Sequence, residues 1–113
     1  MNQKPVVTTE SLTKHLVNLL KLYSVLHWRV SLGGVQRAGG VRAKNPMSGM
    51  PDFACVARNG VAWFCEVKGP GDKLSQAQLV WIAQLAASSA IVKVVRSYEE
   101  TSGLVQEILL NGG

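Results

Sequence analysis

Apolar residues recur along this chain with two periods, and the switches between them divide it into helices and strands. Leu12, Leu16, Leu19, Leu20 and Tyr23 are spaced for one helical face, with Lys14, Asn18 and Lys21 opposite. Thr8 or Thr9 caps that helix, and Glu10 lies in its first turn, where the helix dipole favours an acid. Residues 25–32 read as a short strand carrying His27, Trp28 and Arg29. Two further strands, 52–57 and 61–68, flank the turn Arg58-Asn59-Gly60. Ser75 and Gln78 then form a capping box, with Leu74 and Leu79 as its hydrophobic staple, and open a helix to about Ala87. Leu79, Val80, Trp81, Ile82 and Leu85 are distributed around most of that helix, which predicts burial on more than one side. Trp81 projects away from the Leu79 stripe, toward either a subunit interface or a contact within the monomer. The β-branched run 90–96 reads as a central strand. Ser97 and Glu100 make a second capping box, and Leu104, Val105, Ile108 and Leu109 form the inner face of a last helix. The order α-β-β-β-α-β-α predicts one α/β domain over residues 1–113, built around a mixed sheet flanked by helices. A chain of 113 residues supports one core and not two.

The hairpin register decides what chemistry is available. Alternate residues of a strand share a face, so Glu66 and Lys68 point the same way. A two-residue Asn59-Gly60 turn would pair Arg58 with Val61 and send Asp52 to the side opposite Glu66. A three-residue loop with Gly60 left-handed pairs Ala57 with Val61 and sets Asp52 across from Glu66. Both turns suit the residues; the second is the expected one, because it alone assembles a site. It leaves Phe53, Cys55, Val61, Trp63, Cys65 and Val67 as the core face. The two cysteines become diagonal neighbours roughly 7 to 8 Å apart, which disfavours a disulfide. Two acidic oxygen ligands and a lysine on one face suit a divalent metal that cuts phosphodiesters.

Charge sharpens that picture. The net charge is +5 and the pI about 9.6, which favours a polyanionic partner, nucleic acid first. Residues 31–49 form a glycine-rich segment with Arg37, Arg42 and Lys44 and no acid; it reads as a flexible basic loop that contacts phosphate. No apolar run approaches the roughly 20 residues of a membrane span. The N-terminus lacks a signal-peptide pattern, and the two cysteines read as buried free thiols, which predicts a reduced, cytoplasmic protein without membrane contact. Two cysteines and two distant histidines do not make a zinc site.

Gly49-Met50-Pro51-Asp52, then Glu66-Val67-Lys68, then Leu74-Ser75 and Gln78 together resemble the PD-(D/E)xK nuclease superfamily, and within it the VRR-NUC family. Glu10 and Val95-Arg96 fit the same pattern. Ser97 follows where the family has a second arginine. The resemblance implies a restriction-endonuclease-like core and metal-dependent DNA hydrolysis. Short stand-alone members are viral or bacterial homodimers that cut branched DNA, notably four-way junctions. That implies the cytoplasm of a bacterium or of a phage-infected cell.

In this reading Asp52, Glu66 and the Val67 carbonyl hold Mg²⁺ or Mn²⁺, and Lys68 orients water or offsets charge on the phosphate. The resemblance also makes Gln78 and Glu10 active-site residues. A capping-box duty explains Gln78 equally, and a dipole-favouring acid paired with Lys14 explains Glu10. Lys73 and Arg96 are candidate phosphate contacts or ordinary surface. Two rival readings remain: a nucleic-acid-binding module of the same fold without catalysis, and an assembly protein using the apolar helix.

Overall fold

The computed structural model describes residues 6–30 and 48–112. The first helix, α1 (Thr9–Leu22), is capped by Thr8: its hydroxyl accepts the Ser11 N–H at 3.0 Å, and Ser11 Oγ accepts the Thr8 N–H at 2.9 Å. Leu12, Leu16 and Leu20 of its inner face are wholly buried, as their spacing requires. Four strands follow the predicted order: β1 (Leu26–Arg29), β2 (Phe53–Val56), β3 (Ala62–Val67) and β4 (Ile91–Val95). They form one mixed sheet in the order β1-β2-β3-β4. The first two pairings are antiparallel and the last is parallel. A parallel pair needs a crossover, supplied here by α2 (Gln76–Ala87). The chain closes with α3 (Tyr98–Gly112).

The hairpin adopts the register that the three-residue loop demands. Phe53 pairs with Cys65 and Val56 with Ala62. Ala57 donates to the Val61 carbonyl at 3.0 Å, and Gly60 donates to the Ala57 carbonyl at 2.8 Å with φ +85°. Asn59 Oδ1 accepts the Val61 N–H at 3.1 Å, so the turn's own amide closes it. One sheet face then carries Phe53, Cys55, Trp63, Cys65, Val67 and Val95, buried against α1 and α3. Both cysteines are free and buried there, and burial pushes the Cys55 thiol up to about 11 and the Cys65 thiol upward as well. The other face carries Ala54, Phe64 and Glu66 and receives α2.

Three expectations are corrected. The fourth strand is an edge, not central, because no described strand pairs beyond it. The helix α2 has no buried residue, and Leu79 and Val80 stand about half exposed. Helix α2 alone covers its face of the sheet, and no other described element packs outside it. Its inner side is Gln78, Trp81, Ile82 and Leu85, and the Trp81 indole N–H donates to the Ser48 carbonyl at 3.1 Å, so Trp81 makes a contact within the chain. Leu109, expected to face in, is about a third exposed. At the start of α3, Ser97 Oγ accepts the Glu100 N–H at 3.1 Å, while the Glu100 carboxylate accepts the Arg96 N–H at 3.0 Å, one residue ahead of a regular capping box. No helix among the described residues is long and apolar enough to cross a membrane.

Candidate active site

Asp52 sits one residue before β2, and Glu66 is the penultimate residue of β3, directly across the hairpin. Each carboxylate is held by the other residue's strand. Asp52 Oδ2 accepts the Val67 N–H at 2.9 Å, and Glu66 Oε2 accepts the Asp52 N–H at 3.2 Å. The two acids therefore converge without a direct hydrogen bond between them. Glu66 is only 3% exposed. Burial, and next the negative charge of Asp52, push its carboxyl up to about 7, against the opposing pull of Lys68 and the Asp52 N–H. Lys68 Nζ lies 4.0 Å from Glu66 Oε1, and its backbone N–H continues the ladder to Val95 at 3.0 Å. The strand's two-residue period thus places the ammonium beside the acid, as expected.

Gln78 completes the capping box and also bonds to Glu66. Its Oε1 accepts the Ser75 N–H at 2.8 Å, completing the capping box, while its Nε2 donates to Glu66 Oε1 at 2.7 Å. One side chain thereby ties the first turn of α2 to the buried carboxylate. Glu66 is left with both oxygens accepting and Lys68 as its nearby cation.

Two supporting residues have contacts that their place in the sequence does not disclose. Gly49 has φ +91°, and a Cβ there would fall 2.6 Å from the Ala77 carbonyl carbon and 2.7 Å from its Cβ. Only glycine lets the chain ahead of Pro51-Asp52 press against the turn of α2 that carries Gln78. A glycine just before Met50-Pro51-Asp52 was the available signal. Gly49→Ala should cost about 2 to 4 kcal/mol, combining a disallowed φ with a backbone clash. Thermal unfolding would check this, and a change under about 1 kcal/mol, the size of an ordinary substitution, would contradict it. Thr9, treated only as a possible cap, instead clips α1 to the loop behind Lys68. Its Oγ1 accepts the Gly69 N–H at 2.8 Å and donates to Asp72 Oδ2 at 3.1 Å.

The remaining candidates spread outward. Arg96 donates to the Asp72 carbonyl, bracing the same loop from the end of β4. Lys73 is exposed beside it. Glu10 is exposed at the start of α1 and lines an open trough along that helix; the ion pair with Lys14, one of the two alternatives for this residue, does not form. Arg37, Arg42 and Lys44 lie outside the described residues. For a cation the described residues offer hard oxygen donors: the Asp52 and Glu66 carboxylates and the Val67 carbonyl. No group of three or more His, Cys, Asp or Glu side chains that could hold a metal occurs among the described residues. Such a sparse carboxylate set suits Mg²⁺, which keeps several waters and is bound through one or two carboxylates.

No curated protein matches the chain. A solved structure described as a VRR_NUC domain is 25% identical, with TM-score 0.66, and the match covers 88% of this chain and 96% of that one. A second, described as a VRR_NUC domain protein, is 18% identical with TM-score 0.68, covering 96% and 93% respectively, and shows the shared fold. The VRR-NUC domain as a sequence family matches residues 5–99, most of the length and every element that carries a candidate residue. The chain belongs to the VRR-NUC family.

Proposed function

We propose that this protein is a Mg²⁺- or Mn²⁺-dependent, structure-selective DNA endonuclease. It hydrolyses phosphodiester bonds in branched DNA such as four-way junctions and works as a homodimer. The observation that carries the reading is the convergence of Asp52 and the buried Glu66, each fixed by the other's strand, with Lys68 4.0 Å from Glu66. Two acids held this close in a buried setting call for a cation, and one ammonium does not neutralise both.

Asp52, Glu66 and the Val67 carbonyl would hold the ion, which when bound polarises the scissile phosphate and lowers the pKa of a water. Lys68 stands on the same face to orient the attacking water or to offset charge that develops on the phosphate. A new phosphorus–oxygen bond forms to that water while one bridging phosphorus–oxygen bond breaks. Gln78 fixes the Glu66 carboxylate and keeps the start of α2 beside it. The dimer follows from stoichiometry: one chain offers one such site, and two cuts on opposing strands need two, which a two-fold supplies.

Cleavage of labelled four-way junctions, duplexes and single strands, with and without Mg²⁺, tests the reading. Wild type should cut the junction only when a divalent cation is present. Lys68→Ala should bind as tightly but cut about 100-fold more slowly, the loss expected for one transition-state contact. Equal gel shifts with no cleavage in any divalent metal would leave only the binding module. Absent or salt-insensitive binding would favour the assembly role instead.

A further inference from the structure

Beside the candidate site runs an open trough of about 710 Å³ between the outer face of α1 and the sheet edge. Lys14, Asn18 and Lys21 line it from α1, and Arg29 lines it from the end of β1. All four are exposed. None of the three cations pairs with a carboxylate among the described residues, whose ion pairs are Lys68–Glu66 and Lys93–Glu107. Glu10 is the single acid in the lining.

Both walls of the trough are tied to backbone adjoining the candidate centre. At its α1 end Thr9 is bonded to Gly69, the residue after Lys68. On the opposite wall Arg29 pairs with Phe53, the residue after Asp52, and the next residue, Val30, donates to the Asp52 carbonyl at 2.7 Å. The Arg29 guanidinium carbon lies 5.6 Å from the Phe53 ring centre, a cation–π contact that steadies the group, and among the described residues its N–H edges have no carboxylate partner and can meet the non-bridging oxygens of a phosphate.

From this geometry we infer that the trough is a track for the phosphate backbone of one arm of the nucleic-acid substrate, gripped by Lys14, Lys21 and Arg29 and directed into the Asp52–Glu66–Lys68 centre. Lys14 and Lys21 are seven residues apart, about 10 Å along the helix, which is the axial rise of about three nucleotides of one strand. The Asn18 side chain, on the turn between them, has no hydrogen-bond partner among the described residues and adds a neutral donor. Glu10 lies at the end nearest the centre, so its charge keeps the gripped phosphates at Lys14 and beyond. A solvated helix face would account for two lysines. It would not account for an arginine from a separate strand, stacked in place and closing the same trough. This inference rests on the nuclease reading above and adds to it the surface that holds DNA away from the cut.

The salt dependence of binding tests it. Fluorescence anisotropy with a labelled duplex and a labelled four-way junction, in EDTA, would be followed across KCl concentrations. The variants are Lys14→Gln/Lys21→Gln, Arg29→Gln and, as a charge control, Lys93→Gln. Removing one phosphate-neutralising cation should flatten the slope of log affinity against log salt by about 0.9. The double variant should flatten it by about 1.8 and bind at least roughly tenfold more weakly at 0.1 M salt, with Arg29→Gln flattening it by about 0.9. Lys93→Gln should leave the slope unchanged, and melting temperatures would confirm folding. Unchanged slopes in the double variant and in Arg29→Gln would overturn the track while leaving the nuclease reading intact. Equal flattening by Lys93→Gln would overturn it too, as an effect of net charge. A wild type that neither binds nor cuts DNA would overturn both.

Discussion

Asp52→Asn should lower the rate of junction cleavage by about a thousandfold or more while leaving the protein folded. The substitution is nearly isosteric, and its amide oxygen can still accept the Val67 N–H that Asp52 Oδ2 accepts at 2.9 Å. The hairpin therefore keeps its tie, and what disappears is a charge. Removing one of two anionic donors weakens the hold on a divalent ion and with it the stabilisation of the transition state. A second consequence separates this cause from misfolding. The charge of Asp52 is one of the causes that raise the Glu66 carboxyl, so in Asp52→Asn that carboxyl should titrate lower than in the wild type. Single-turnover cleavage, a melting curve and carboxyl titration by NMR would read the three effects. Cleavage within about tenfold of wild type, too small an effect for the removal of a metal ligand, would take Asp52 out of the mechanism.

The parts of the fold that could be read in advance are those set by local chemistry. Arg58-Asn59-Gly60 accommodates a three-residue loop because Asn59 can cap the turn with its own side chain and Gly60 tolerates a positive φ. That loop sets the register, and the register brings Asp52 to Glu66. Ser75 and Gln78 announced the start of α2 in the same way. The misreadings concern what lies beyond an element. Apolar residues all around α2 imply burial only if a second layer exists outside it, and none of the described elements supplies one. The β-branched run of β4 looks central for a similar reason, since composition records apolar neighbours on the faces and not a missing strand at the edge. Gln78 shows a different limit. Cap and active-site residue were alternatives in sequence, yet an amide has two ends, and here the oxygen caps the helix while the nitrogen holds Glu66. The contacts of Gly49 with Ala77 and of Thr9 with Gly69 and Asp72 depend on how distant segments approach, so a glycine ahead of Pro51 marks a special position without naming its partner.

Without metal, the wild type should lose stability relative to Glu66→Gln as the pH rises from about 4.5 to about 7, and added Mg²⁺ should restore it. The Glu66 carboxyl is pushed up from 4.5 to about 7 in the folded protein, first by burial and then by Asp52. Between those values the native state keeps a proton that the unfolded chain has released. Stability therefore falls with rising pH. The contribution is complete below about 4.5 and gone above about 7, and its size is on the order of 3 kcal/mol. Comparison with Glu66→Gln isolates Glu66 and its coupling to Asp52, because carboxylates remote from this pair cancel in the difference. A divalent ion needs the deprotonated form, so binding expels the proton. Apparent Mg²⁺ affinity should then rise about tenfold per pH unit up to about 7, a few hundredfold over the whole window, and level off above it. Melting temperatures in EDTA and in Mg²⁺, with calorimetric titrations in two buffers of different ionisation enthalpy, would measure both limbs and the proton released. A metal-free difference curve that stays flat, together with Mg²⁺ affinity independent of pH, would show that Glu66 neither carries the proton nor meets the ion, and the hydrolytic reading would lose its buried ligand.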